Sequence, residues 1–229
     1  LVCKESGLAF KTVPSVAELI DGSISINSIR EVDYRDLLGR EEIRMDSQKI
    51  GAYLKDQCVM VTGAGGSIGS ELCRQICRYE PGRLVLFEQG ENRLFYIEME
   101  LRQKFPHVEL APLLADIRDE NEVRQIFARF RPHTVFHAAA YKHVPMLESQ
   151  PWKSIKNNIS GSMSLVNASK AYHTECFVFV STDKAVRPTS VMGASKRVAE
   201  MFLQCQSYGG DGSASGPRFV GVRFGNVVG

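Results

Sequence analysis

No apolar run in these 229 residues approaches the length that a bilayer demands, and tryptophan occurs once. A spanning helix needs about 20 consecutive apolar residues, so no membrane contact is expected of this stretch. An excess of one charge is also lacking. The 28 Lys and Arg against 26 Asp and Glu leave a net charge of +2, which offers no field to nucleic acid or anionic lipid. The six cysteines (Cys3, Cys58, Cys73, Cys77, Cys176 and Cys205) sit mostly inside apolar runs, as small hydrophobes in a reducing compartment do. Cys73 and Cys77 stand four apart, but no second ligand pair follows at zinc spacing, so no metal is expected. There is no basic leader and no initiating Met, and the chain stops at Gly225-Asn226-Val227-Val228-Gly229, directly after an apolar run. Both ends read as cuts within a longer protein.

What is present is a regular alternation. Cys58-Val59-Met60-Val61, Leu84-Val85-Leu86-Phe87, residues 108–114, Val135-Phe136-His137-Ala138, Phe177-Val178-Phe179-Val180 and residues 219–224 are short apolar runs that predict strands. Between them, apolar residues recur at helical spacing: Ile68, Leu72, Ile76 and Tyr79; Leu94, Ile97 and Leu101; Val123, Ile126, Phe127 and Phe130. A long helix is expected over 152–172 and another over 190–206. Strands apolar throughout, alternating with helices, imply a parallel sheet covered on both faces, and right-handed crossovers make it an α/β, doubly wound, Rossmann-type domain over residues 51–229. Residues 1–50 differ. A short helix over 15–22, alternating Ile24, Ile26 and Ile29, and a charged stretch over 33–40 read as the end of a preceding α/β unit and a linker. Residues 207–217, rich in Gly and Ser, predict a mobile surface loop.

The first strand runs into Thr62-Gly63-Ala64-Gly65-Gly66-Ser67-Ile68-Gly69, and a helix follows. In that setting Gly63 allows a tight turn, Gly66 lets a diphosphate approach the backbone, and Gly69 lets the helix pack on the strand. Gly65, Ser67 and Ile68 complete the turn, and the helix N-terminus offers N–H groups to phosphate. Glu88 ends the second strand nineteen residues after Gly69, where an acidic side chain holds the adenosine ribose and repels a 2′-phosphate. This favours NAD over NADP, although Arg93, five residues on, keeps the phosphorylated form in view. Asp116, followed by Ile117, suits either the adenine amino group or a helix N-cap. Ala138, Ala139 and Ala140 suit either a cofactor lying on backbone or plain packing.

Two more segments carry reactive groups. Ser181-Thr182-Asp183-Lys184 leaves the fifth strand at its carboxyl end, and Met192-Gly193-Ala194-Ser195-Lys196 opens the next helix with Met192 and Lys196 on one face. With the glycine turn, Ala138-Ala139-Ala140-Tyr141-Lys142-His143-Val144-Pro145-Met146-Leu147-Glu148, Ser181-Thr182-Asp183-Lys184-Ala185-Val186-Arg187-Pro188 and residues 191–200, the chain resembles the extended short-chain dehydrogenase/reductase superfamily. Within it, the match is to the CapD-type polysaccharide-biosynthesis proteins, the membrane-anchored nucleotide-sugar 4,6-dehydratases. The superfamily usually has Tyr where this chain has Met192, and the long dehydratases share the Met.

The resemblance implies a UDP-N-acetylglucosamine 4,6-dehydratase, a hydro-lyase for bacterial surface glycans that moves a hydride from C4 to C6 and expels water. It implies Asp183 as general acid for the 6-hydroxyl, Lys184 as base at C5, Thr182 as partner of the 4-hydroxyl, and Lys196 on the nicotinamide ribose. Met192 packs against the sugar or in the core, since a thioether has no proton to exchange. The competing view of Asp183 and Lys184 is a solvated ion pair. Tyr141, Lys142 and His143 are expected to meet the UDP-sugar, Asn157 and Asn158 to brace the site, and Asn226 to bind substrate. A homo-oligomer is implied, with a cytoplasmic catalytic domain, a full-length protein anchored in the bacterial inner membrane, and a sugar-binding region beyond residue 229. The alternatives are a nucleotide-sugar epimerase or reductase, and an inactive NAD-binding scaffold.

Overall fold

In the computed structural model, which describes residues 11–12, 30–31, 47–208 and 216–225, the six apolar runs become six parallel strands. They are β1 (Cys58–Thr62), β2 (Arg83–Glu88), β3 (Leu110–Leu114), β4 (Thr134–His137), β5 (Cys176–Thr182) and β6 (Arg218–Phe224). Their order in the sheet is β3-β2-β1-β4-β5-β6, with parallel pairing throughout. This is the doubly wound order whose direction reverses between β1 and β4, and ligands bind in the crevice outside the carboxyl ends of the strands at that switch point.

Period-two alternation sends the strand residues to two cores. On one face Met60, Val85, Phe87, Val135, Phe177 and Phe179 meet α4 (Glu120–Phe130), α7 (Ser162–Ala171) and α8 (Val191–Tyr208). On the other, Val59, Val61, Leu84 and Leu86 meet α1 (Ser47–Leu54), α2 (Ser67–Cys77) and α3 (Glu91–Lys104). Cys73 and Cys77 are packed into that second core, where burial pushes the Cys77 thiol up to about 12. They behave as apolar side chains, and among the described residues no group of three or more His, Cys, Asp or Glu is placed to hold a metal.

The chain divides into two compact units, Leu1–Met45 and Asp46–Gly229. In the first, Lys11–Thr12 pairs antiparallel with Arg30–Glu31. The expected helix over 15–22, the alternating isoleucines and most of the 207–217 loop lie outside the described residues, as does Asn226. Among the described residues, no helix is long and apolar enough to cross a membrane.

The expected long helix over 152–172 is not one helix. It is α6 (Pro151–Ser154), a π-helical segment (Ile155–Gly161) and α7. A short helix, α5 (Val144–Ser149), precedes it without having been signalled by periodicity, and Pro145 sits in its first turn. The helix after β3 is capped by Asp119, whose carboxylate accepts the N–H groups of Asn121 and Glu122. The N-cap reading of Asp116 is therefore corrected: helix α4 begins at Glu120, and the carboxylate one residue before it is the one in reach of its first free N–H groups.

Polar groups in the core form a closed network. Buried His137 meets the Thr62 hydroxyl through Nδ1 at 2.7 Å and Ser162 Oγ through Nε2 at 2.8 Å. Ser162 donates its one proton to the Asn158 carbonyl at 2.7 Å, so Nε2 carries the imidazole proton and Nδ1 accepts from Thr62. Burial first, and the Lys196 charge second, hold the His137 pKa well below its ordinary value.

Two outcomes follow from this packing. A Cβ on Gly69 would lie 2.0 Å from the Gly63 carbonyl oxygen, so Gly69→Ala is expected to lower the unfolding free energy by about 1–3 kcal/mol in urea denaturation. An unchanged midpoint would refute the close approach. Unfolded His137 takes a proton near its ordinary pKa, whereas folded His137 does not. Its contribution to stability is therefore present above about pH 6.5 and lost as the pH falls, by up to about 1.4 kcal/mol per pH unit. Unfolding measured between pH 7 and 5 should show this slope, and His137→Gln should remove that part of it.

Candidate functional site

The glycine turn is built by backbone alone. Gly63 adopts φ +69°, and its N–H and that of Ala64 both donate to the Phe87 carbonyl, at 2.8 and 3.2 Å. A Cβ on Gly63 would meet the Ala139 backbone at 2.8 Å, and one on Gly65 would meet Arg93 at 2.5 Å. Gly66 is different: its Cβ would find only the Gly63 carbonyl, at 3.2 Å. Internal packing requires the absent side chain at 63, 65 and 69, whereas at 66 it leaves open a face on a groove. Gly66 is also the N-cap of α2, and no side chain caps that helix. Its first N–H groups therefore keep their capacity for an anion.

Two adjoining cavities lie over this turn. The smaller, of about 110 Å³, is lined by Gly63, Gly66, Phe87, Glu88, Arg93, Ile117 and residues 138–141, among others. The larger, of about 550 Å³, is lined by residues 65–69, Arg93, Ala138 and residues 140–143, and extends to Met146, Gln150 and Lys153. The residues expected to hold a cofactor are thus brought together with Tyr141, Lys142 and His143 along one groove. Gln89, Met146, Gln150 and Lys153 border the groove without having been expected there, while Asn157, expected to brace the site, borders the smaller cavity.

Asp116 stands aside. Its carboxylate is gripped by the Arg118 side chain and backbone N–H, and the Arg118 hydrogen bond holds its pKa down. Glu88, at the end of β2, is 3% exposed. One of its oxygens accepts the Gly65 N–H at 3.1 Å, and the other accepts the Gly90 N–H at 2.9 Å and pairs with Arg93 Nη2 at 2.9 Å. The carboxylate thus ties the glycine turn to the end of the neighbouring strand. An uncapped helix N-terminus, a bare Gly66 backbone and a buried acid at the second strand end make a set that fits a dinucleotide: amides for the diphosphate and a carboxylate for a ribose hydroxyl.

The remaining expected residues gather on the next strand. Thr182 caps a 3₁₀ turn (Asp183–Ala185), accepting the Lys184 N–H and donating its hydroxyl to Asp183 Oδ1 at 3.0 Å. Lys184 Nζ lies 3.2 Å from the same oxygen. The Lys184 ammonium, then the Thr182 hydroxyl, hold the Asp183 carboxyl below its ordinary pKa. Gly193 of α8 rides against this turn, with room for no Cβ: one would fall 2.3 Å from the Lys184 carbonyl. Met192 is buried, and so is Lys196, whose Nζ stands 4.2 Å from the centre of the Phe179 ring. Burial pulls the Lys196 pKa to about 7, against the opposing effect of Glu200. Thr182, Asp183, Lys184, Met192 and Lys196 line neither cavity.

Asn158 links the two groups. Its Oδ1 accepts the Tyr141 N–H at 2.9 Å, and its Nδ2 donates to the Tyr141 carbonyl and to Ser195 Oγ, both at 3.0 Å. Glu148 of α5 adds a second link by accepting the Val191 N–H at the head of α8, at 2.7 Å.

Relatives share this frame. Residues 59–229 match the family described as polysaccharide biosynthesis protein. The chain is 39% identical over its whole length to the capsular polysaccharide biosynthesis protein CapD of Staphylococcus aureus, and 42% identical over 99% of its length to the probable polysaccharide biosynthesis protein EpsC of Bacillus subtilis. It spans 38% and 37% of those proteins. A UDP-N-acetylglucosamine 4,6-dehydratase (inverting) of Campylobacter jejuni is 30% identical over 75% of this chain and 49% of its own. The structure is similar to that of Pen from Bacillus thuringiensis, with TM-score 0.71 and 32% identity over 77% of this chain and 54% of that one. It is also similar to a UDP-glucose 4-epimerase of Thermus thermophilus in complex with NAD, with TM-score 0.58 and 26% identity over 72% and 54%. On the match over residues 59–229 and the identities along the full chain, this protein belongs to the polysaccharide biosynthesis protein family.

Proposed function

We propose that the chain is the dinucleotide-binding part of an NAD-dependent nucleotide-sugar 4,6-dehydratase, acting on UDP-N-acetylglucosamine for a surface polysaccharide. The observation that carries this reading is the Thr182, Asp183 and Lys184 turn at the carboxyl end of β5, next to the strand whose end lines the cofactor groove. His137 and Phe179 face each other in the register of β4 and β5, and Ala140 and Thr182 both come three residues later. The named dehydratase relative supports the same assignment, and the NAD-bound epimerase supports the cofactor.

NAD, when bound, would supply the hydride chemistry between C4 and C6 of the sugar. The residues of this chain bind and move protons. The amides at the head of α2 hold the diphosphate, and Lys142 and His143 reach toward the UDP-sugar. Thr182 orients the 4-hydroxyl. The reaction needs Asp183 protonated and Lys184 neutral, and the two side chains stand 3.2 Å apart. Neutral Lys184 takes the C5 proton, protonated Asp183 gives its proton to the departing 6-hydroxyl, and water leaves. Lys196 holds the ribose next to the nicotinamide. Met192 exchanges no proton, which disfavours an epimerase that relies on a tyrosine there. Anchoring of the whole protein in a membrane, with this part on the cytoplasmic side, is part of the same proposal.

Incubation of the full-length protein with UDP-N-acetylglucosamine and NAD in deuterated water should yield a sugar lighter by one water and labelled at C5. An unaltered sugar would overturn the reading. Asp183→Asn should cut product formation about 10²–10⁴-fold while C5 exchange continues. Lys184→Ala should abolish exchange and product together, and normal turnover by either variant would remove that residue from the chemistry.

A further inference from the structure

Resting on the dehydratase reading above, we propose that Glu200 is a positioning residue of the site: its carboxylate holds the strand end that carries Thr182, Asp183 and Lys184 and the helix that carries Lys196 at one fixed height. Gly193, Lys196 and Glu200 recur at helical spacing and share one face of α8, with about 10 Å between the first and the last. Gly193 abuts the Lys184 carbonyl. Two turns on, Glu200 Oε1 accepts the Ser181 hydroxyl at 2.7 Å, and Ser181 directly precedes Thr182. Two contacts to the segment 181–184 thus bracket Lys196, and they stop α8 from sliding along its axis against the reactive turn.

The clamp is directional. Glu200 is 7% exposed. A carboxylate has about four acceptor positions, and here all are taken. Oε1 accepts Ser181 Oγ and Arg223 Nε, the latter at 2.9 Å. Oε2 accepts Arg223 Nη2 at 2.7 Å and Arg197 Nη1 at 3.0 Å. Arg223 stands opposite Ser181 in the register of β5 and β6, so one carboxylate joins the ends of two strands to α8. A buried ion cluster is a costly way to fasten a helix to a sheet, because apolar side chains of the same volume hold as well without the loss of hydration. What the carboxylate adds is geometry: the forked bonds of Arg223 and the short bond from Ser181 fix direction as well as distance. Direction matters where a displacement of about 1 Å costs on the order of a hundredfold in rate. The same carboxylate supports Lys196, which burial pulls toward the neutral form and Glu200 holds back.

Turnover of UDP-N-acetylglucosamine by the full-length protein with NAD, beside amide hydrogen exchange in the absence of both, tests this. Ser181→Ala removes the link to the strand end and leaves both arginines paired with Glu200. It should lower kcat about tenfold, with KM and the NAD dissociation constant within about threefold of the unaltered values. The amides of residues 182–186 should exchange about tenfold faster, while those of β1 and β2 keep their rates. Ser181→Thr keeps the hydroxyl and should return kcat to within about threefold. Glu200→Gln, which loses the charge, should lower kcat about a hundredfold. Unchanged kcat and unchanged exchange in Ser181→Ala would overturn the inference and leave the dehydratase reading intact. Exchange that quickens uniformly over the sheet, with kcat per folded molecule unchanged, would make the cluster a general brace and overturn it too. An unaltered protein that forms no product would overturn the dehydratase reading and this inference with it.

Discussion

At the junction of β1 and α2 the Gly63 carbonyl presses against Gly69, and everything nearby is placed by that contact. The distance leaves no room for a methyl group. It fixes where the helix begins, and hence where its unpaired N–H groups stand relative to the strand ends. Two hydrogen bonds to the Phe87 carbonyl and one from Gly65 to Glu88 then lock the turn to β2. On the other side the turn lies against the Ala139 backbone. The groove is thus a product of backbone meeting backbone, and the small side chains around it are the condition for that meeting.

Charge is distributed unevenly around this frame. The groove end carries exposed cations and helix amides suited to phosphates. Behind α8 the groups are sealed from water: Lys196 loses much of its basicity through burial, and His137 is held neutral. Glu200 nearby is the exception. Burial works to raise its pKa, yet Arg223, Ser181 and Arg197 outweigh that and hold it at about 2. A fixed negative charge four residues after Lys196 therefore sits in the same helix as a lysine that titrates near neutrality.

The sequence made legible what depends on neighbours along the chain. The glycine turn, the apolar strands and the acid at the end of β2 are contiguous patterns, and each took the place expected of it. What was hidden depends on partners far apart in the chain. Asn158 reaches Tyr141 and Ser195, 17 and 37 residues away, and Glu148 caps a helix that starts 43 residues later. No spacing rule announces such bonds, although Asn157-Asn158 and Glu148 both fall in stretches that drew notice. The misplaced cap at Asp116 shows the converse limit. Two aspartates three residues apart both suit a helix start, and only the backbone decides which one faces the free N–H groups. Arg93 could be noted from position alone, but its fold back over Gly90 onto Glu88 could not.

The wide helical turn over Ile155–Gly161 has a consequence for how this region can change. Both asparagines in it are buried: Asn157 borders the groove, while Asn158 ties Tyr141 to Ser195. A π turn holds about one residue more than an α turn, so loss of one residue here would let the coil close to an α-helix with its flanks roughly in phase, and would move the two asparagines off the positions they hold. The surplus residue is therefore what sets Asn158 between Tyr141 and Ser195, and the cost of losing it falls on that link rather than on the direction of the helix.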